Sequence, residues 1–254
     1  MKPWALFSHS IGMLVRNFGD LLKVFLVPVL LIVVSFSAFL ELSGLPDFLQ
    51  SGTVSVLPES ATQNGLPLLV VFVTLFIGIW SVVAWHRFVL LEEIPESWVP
   101  RVQGDRIMAY FGRSIQIVLV LICMMIPLLL IVMLTTSVLS FAVPAVMELI
   151  DLPLAILLTY LVLRLSVLLP AAALGAKFEV GDAWRSTKNA FGDLLGLAAI
   201  LVAAQFAGQF VVDSLSELPI LNLVSALVVS AALALVNISI LTTLYGHYVE
   251  GRPI

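Results

Sequence analysis

The sequence predicts an all-α membrane protein with six transmembrane helices, and three observations predict it. Only 11% of the residues are charged while 61% are apolar, against about 25% charged in an ordinary soluble domain. The charges are clustered, leaving uncharged runs such as 66–85 and 115–143. Each run is long enough to cross a hydrocarbon core of roughly 30 Å at about 1.5 Å per residue. Finally, the lysines and arginines fall in alternate connections between the apolar runs. A soluble chain of this size has too little polar surface to cover so much apolar side chain.

Six apolar segments follow in order, at about 21–40, 66–85, 114–142, 152–169, 194–212 and 221–245. The first begins only after Lys23, and no small-x-small cleavage site follows a short apolar region. It is therefore expected as a retained span rather than a signal peptide. Between the first two spans, Gly44, Pro46, Gly52 and Pro58 predict an irregular loop or a very short helix.

Orientation comes from the basic residues. Lys2, Arg16 and Lys23 precede span one or open it, and Arg87, Arg101, Arg106 and Arg113 lie between spans two and three. Arg164, Lys177, Arg185 and Lys188 lie around the junction of spans four and five, and Arg252 follows span six. These are all twelve lysines and arginines. The other three connections hold Glu41, Asp47, Glu59, Glu148, Asp151, Asp213 and Glu217 and no base. The basic side is expected in the cytoplasm, with both termini on it. Miscounting by one span would destroy the alternation.

A similar signature precedes each odd-numbered span. Before span one it is Phe18-Gly19-Asp20-Leu21-Leu22, and before span five Phe191-Gly192-Asp193-Leu194-Leu195. Before span three the related form is Phe111-Gly112-Arg113-Ser114. Glycine suits a corner because it tolerates the backbone angles of a helix end. The aspartate after it can cap the next helix and face the positive end of its dipole. Gly104-Asp105 and Gly181-Asp182 read as helix N-caps. Ile11, Leu14 and Val15, and likewise Trp184, Thr187 and Phe191, form apolar stripes suited to interfacial helices. The expected architecture is thus three hairpins, each preceded by a short cytoplasmic interfacial helix. They form one polytopic domain over 1–254, with parallel repeats 1–95, 96–177 and 178–254. Repeats that enter from the same side differ from the inverted repeats of many transporters.

Few side chains suggest chemistry. Arg164 lies 12 residues into span four, about 18 Å from its outer end, where a charge is costly and is paired, functional or snorkelling. The helix is expected to end near Pro170 with Arg164 snorkelling to the headgroups. Asn237 in span six comes into the same layer if spans four and six touch. Gln205 and Gln209 share one face of span five, and Asp213 continues it. Arg164, Asn237, Gln205 and Gln209 are therefore the candidate intramembrane polar site, read either as a polar path or as interhelical hydrogen bonding. Trp85-His86-Arg87 reads as an aromatic-basic anchor at the interface, with Trp4, Trp98 and Trp184 in the same belt. Glu92, Glu93 and Glu96 form an acidic cluster with no metal-ligand spacing beside it. Cys123, the sole cysteine, is expected as a small buried hydrophobe. No catalytic, cofactor-binding or metal site is identified, and no nucleophile-base motif is present. A net charge of −4 without a basic patch argues against nucleic acid.

The stretch from Arg164 through Leu169-Pro170-Ala171-Ala172 to Asp182-Ala183-Trp184-Arg185-Ser186-Thr187-Lys188-Asn189 resembles a bacterial inner-membrane family. That family comprises the YciC-like proteins and the membrane domain fused to some glycerophosphodiester phosphodiesterases. The resemblance covers mainly residues 155–200 and the six-span layout. It implies an inner-membrane location and no catalytic residue here, because the phosphodiesterase activity of the fusions belongs to a separate soluble barrel. The expected function is a non-enzymatic scaffold, accessory or lipid-handling component. Its partners would be the lipid bilayer and other membrane proteins. The alternative is a small-molecule or ion transporter or channel using the polar layer of spans four to six.

Overall fold

The computed structural model of the chain describes residues 2–43, 65–139 and 146–254. Among them the regular structure is entirely helical. The helices are α1 (Lys2–Arg16), α2 (Phe18–Ser43), α3 (Leu66–Leu91), α4 (Gly104–Leu139) and α5 (Val146–Ser166), then α6 (Leu168–Leu174), α7 (Val180–Ser186), α8 (Phe191–Asp213) and α9 (Pro219–Tyr248). Among the described residues, six stretches are long and apolar enough to cross a bilayer: Phe18–Leu42, Leu66–Leu91, Gly104–Leu134, Asp151–Leu174, Phe191–Asp213 and Pro219–Tyr248. The protein is an all-α, multi-pass integral membrane protein. Helices suit the bilayer because every interior peptide group is bonded within its own segment. The same setting tolerates Pro28, Pro127 and Pro153 inside helices. The loop expected after span one lies outside the described residues apart from its edges.

The chain divides into two compact units, one of residues 18–108 and one of residues 1–17 with 109–254.

In the first unit α2 packs along α3. Ile32 of α2 lies against Ile77 and Trp80 of α3, and Ile107 from the first turn of α4 closes the cluster. Trp80 Nε1 donates to the Arg101 carbonyl at 3.4 Å, tying α3 to the segment before α4. Further along, Trp85 sits between Phe25 and Phe88, with ring centroids 6.1 and 5.5 Å away. Trp85 and His86 are both 0% exposed. The interface anchor expected at Trp85-His86-Arg87 is thus corrected to a packed core position. Trp4 and Trp98 of the same belt are exposed. The physical reason is that α3 continues past Arg87 to Leu91. Arg87 Nε donates to Glu93 at 2.9 Å, so the charge does not end the helix. The acidic cluster supplies that partner, and Glu96 pairs with Arg101.

In the second unit α1 lies across α8 and α9. It buries Leu6, Ser10 and Met13. The expected stripe is not the face that packs on α8 and α9: Ile11 and Val15 are exposed, Val15 by 69%. The buried face is partly polar and is satisfied by hydroxyl hydrogen bonds within α1 and across to α9. Ser10 Oγ lies 2.9 Å from both the Leu6 carbonyl and Thr243 Oγ1. Thr243 donates to the Ser239 carbonyl, and Ser239 donates to the Ser10 carbonyl at 2.8 Å. Near its other end α1 passes close to α8, where a Cβ on Gly196 would stand 2.7 Å from Pro3 Cγ. Glycine is needed at that crossing.

Two expected corners coincide with helix starts. α2 begins at Phe18 after a one-residue turn at Asn17, and α8 begins at Phe191. The third is corrected: Phe111, Gly112 and Arg113 lie inside α4, which is continuous from Gly104. Nothing within 4 Å would oppose a Cβ at Gly112, and its helical backbone needs no glycine. The expected caps also move. The Gln103 carbonyl opens α4, and Glu179 is the N-cap of α7. Asp20 bonds Lys23 at 2.8 Å. Asp193 makes no cap on α8, and instead accepts from the Tyr248 hydroxyl at 3.2 Å. Cys123 is exposed on α4 rather than buried.

Candidate functional site

The four residues of the predicted polar site fall into two places. Arg164 stands near the end of α5. The chain then runs through α6, where Gly175 takes a left-handed conformation with φ of 78°. A side chain there would be strained. Its amide bonds the Ala172 carbonyl and that of Ala176 bonds Ala171, which turns the chain so that α7 returns against α5.

The return brings three oxygens to one guanidinium. Arg164 Nε donates to Thr187 Oγ1 at 3.0 Å, Nη1 to the Tyr160 hydroxyl at 3.1 Å, and Nη2 to the Trp184 carbonyl at 2.8 Å. Thr187 donates its own proton to the Ala183 carbonyl at 2.8 Å, so its oxygen is free to accept. The Trp184 ring covers the guanidinium, its centroid 3.7 Å from Arg164 Cζ, a cation–π contact. Tyr160 in turn packs edge-on to Phe191 of the α8 corner, with centroids 5.4 Å apart. Arg164 is only 8% exposed. The expectation that it snorkels is corrected, because α7 supplies in the protein the acceptors that headgroup water would otherwise supply. No carboxylate among the described residues pairs with it.

Helix α7 is held at its start by Asp182, whose carboxylate accepts the Glu179 backbone N–H at 2.9 Å and also meets Arg185. The backbone bond first, and Arg185 second, hold the Asp182 carboxyl below its ordinary value of 3.8. A carboxylate with a depressed pKa contributes its stabilisation above the ordinary value and loses it as pH falls through the lowered one. Hydrogen exchange of the α7 amides, corrected for intrinsic rates, is therefore expected to stay constant down to about pH 4 and to quicken below it. Asp182→Asn is expected to remove the pH dependence.

The other three residues meet between α8 and α9. Gln205, Gln209, Ser230 and Asn237 line one cavity of about 310 Å³ together with Ala226 and Ala234. The helices approach closely here, since a Cβ on Gly208 would lie 2.7 Å from Val229 Cγ1. Gln205, Gln209, Ser230 and Asn237 are all exposed. Gln209 donates to Asp213 at 2.8 Å, as their spacing predicted, and Asn237 donates to the Leu233 carbonyl at 2.9 Å. Arg164 does not line this cavity, so the single layer expected from spans four to six is two separate features. Sequence reasoning missed Ser230, and also Tyr160 and Thr187, whose role shows only once α7 folds back. Among the described residues no three His, Cys, Asp or Glu side chains gather as metal ligands would.

No family model, curated protein or solved structure matches the chain.

Proposed function

We propose that the chain is a non-enzymatic component of a bacterial inner membrane that assembles with another membrane protein. A transmembrane helix of that partner, bearing a hydrogen-bonding side chain, would seat in the groove of Gln205, Gln209, Ser230 and Asn237. The observation that carries this reading is a set of amides and a hydroxyl exposed within membrane-spanning helices. Polar groups left open to hydrocarbon are costly, whereas across a helix pair each hydrogen bond contributes about 0.6–2 kcal/mol. The small Ala226 and Ala234 that line the groove allow close backbone approach. The resemblance of residues 155–200 to the YciC-like proteins supports the inner membrane. The basic residues support cytoplasmic termini. The transport reading is weaker, because its one charged candidate, Arg164, is engaged elsewhere and lines no part of the groove.

The test is site-specific photo-crosslinking in native membranes. A photoreactive residue at Gln209 or Ala234 is expected to give one adduct that maps to a transmembrane segment of a single partner. The same residue at Val228, which is exposed outside the groove, is expected to give only lipid adducts. Gln205→Leu with Asn237→Leu should abolish the adduct while leaving the thermal midpoint unchanged, because both positions are exposed. Equal lipid labelling at all three positions would overturn the proposal.

A further inference from the structure

A second cavity, of about 640 Å³, opens beside α7. Its apolar bed is Val120 and Met124 of α4 with Leu165 of α5, and Trp184 and Arg185 stand at its rim. We infer that this cavity binds one anionic phospholipid, an acyl chain lying on the Val120, Met124 and Leu165 bed and the phosphate at Arg185.

Three features converge on that occupant. The bed belongs to membrane-spanning helices while α7 lies outside the spans, so the cavity runs from hydrocarbon to boundary, as a lipid does. Trp184 gives the rim an amphipathic ring of the kind that favours headgroup level. The charge is also complementary. Arg185 is 78% exposed and uses one of its nitrogens on Asp182, which leaves other donors of its fork for a phosphate. An exposed pair of that kind holds its arginine only weakly. Behind the Trp184 ring lies the Arg164 guanidinium, buried and bonded only to neutral oxygens. A buried charge without a counter-charge attracts an anion more strongly than an exposed one, since little water screens it. A zwitterionic headgroup would bring its own cation to the same rim and lose most of that attraction.

The full-length protein in neutral detergent is titrated with phosphatidylglycerol, phosphatidylcholine or glycerol 3-phosphate, and the thermal midpoint is followed. Phosphatidylglycerol at about 100 times its Kd is expected to raise the midpoint by about 5 °C. The other two probes should leave it unchanged. Met124→Trp, which fills the bed, and Arg185→Gln, which removes the headgroup contact, should each abolish most of the shift. Arg101→Gln removes an equally exposed cation outside the cavity and should retain it. Loss of the shift in Arg101→Gln would mean general attraction to basic residues and overturn the site. A full shift in Met124→Trp, or a shift with glycerol 3-phosphate alone, would overturn the lipid as occupant. None of these outcomes touches the groove between α8 and α9, so this inference and the assembly proposal fail separately.

Discussion

Arg164→Ala is expected to destabilise the protein by about 3 kcal/mol, the cost of breaking a buried hydrogen-bonded charge cluster. In a chain of this size that lowers the thermal midpoint in detergent by about 8 °C. The loss has three parts. The Trp184 carbonyl and Tyr160 hydroxyl lose their donor, the Trp184 ring loses the cation on its face, and the space of a long side chain is left beneath α7. Relief of the buried charge offsets some of this, so Arg164→Met, which keeps the volume, should lose less, about 1 kcal/mol. Arg164→Lys should recover little of the alanine loss. An ammonium on a shorter reach cannot serve the three acceptors that Nε, Nη1 and Nη2 reach separately, nor stack as well on Trp184. Exchange of the α7 amides should quicken in all three variants, because Arg164 joins α7 to α5. A midpoint unchanged in Arg164→Ala would place the guanidinium in water and restore the snorkelling expectation.

That cluster also marks where the sequence stopped being readable. The six apolar stretches were legible because the bilayer demands uninterrupted runs of a set length, a one-dimensional requirement. Their ends were less so. Residues 86–91 looked like a boundary because Arg87 stands there, and nothing local reveals that Glu93 reaches back to neutralise it. The corner at Phe111-Gly112-Arg113 shared its Phe-Gly pair with real helix starts, yet α4 runs through it unbroken. Phe18 and Phe191, by contrast, do begin helices. The packing face of α1 was not legible, because nothing local shows that the hydroxyl of Ser10 finds partners. Paired with Thr243 and Ser239, more than 200 residues away in sequence, it packs inward without an orphaned polar group. Arg164 was legible as an unusual charge and Gln205 with Gln209 as one face. That these are separate features depends on the turn at Gly175, whose direction no spacing rule supplies.

Gly208→Ala is expected to cost about 2 kcal/mol, within the range for overpacking a tight helix contact. The new methyl would stand 2.7 Å from Val229 Cγ1 and 3.4 Å from Leu233 Cδ1. Val229 cannot step aside easily, because a β-branched side chain in a helix has essentially one χ1 rotamer. The helices must therefore separate, which strains the bond from the Asn222 side chain to the Val212 carbonyl, 2.7 Å long at the end of the pair. In water, alanine would recover about 1 kcal/mol through its helix propensity. In a bilayer the separated helices remain helical, so little of that gain applies. Val229→Ala in the Gly208→Ala background removes the opposing methyl and should restore most of the loss. A coupling of about 1–2 kcal/mol in the double-mutant cycle is then expected. The groove of Gln205, Gln209 and Asn237 is shaped by the same close approach. Crosslinking from Gln209 should therefore fall in Gly208→Ala and return in the double variant. If the midpoint recovers and the crosslink does not, the partner reads the valine itself and not the spacing of α8 and α9.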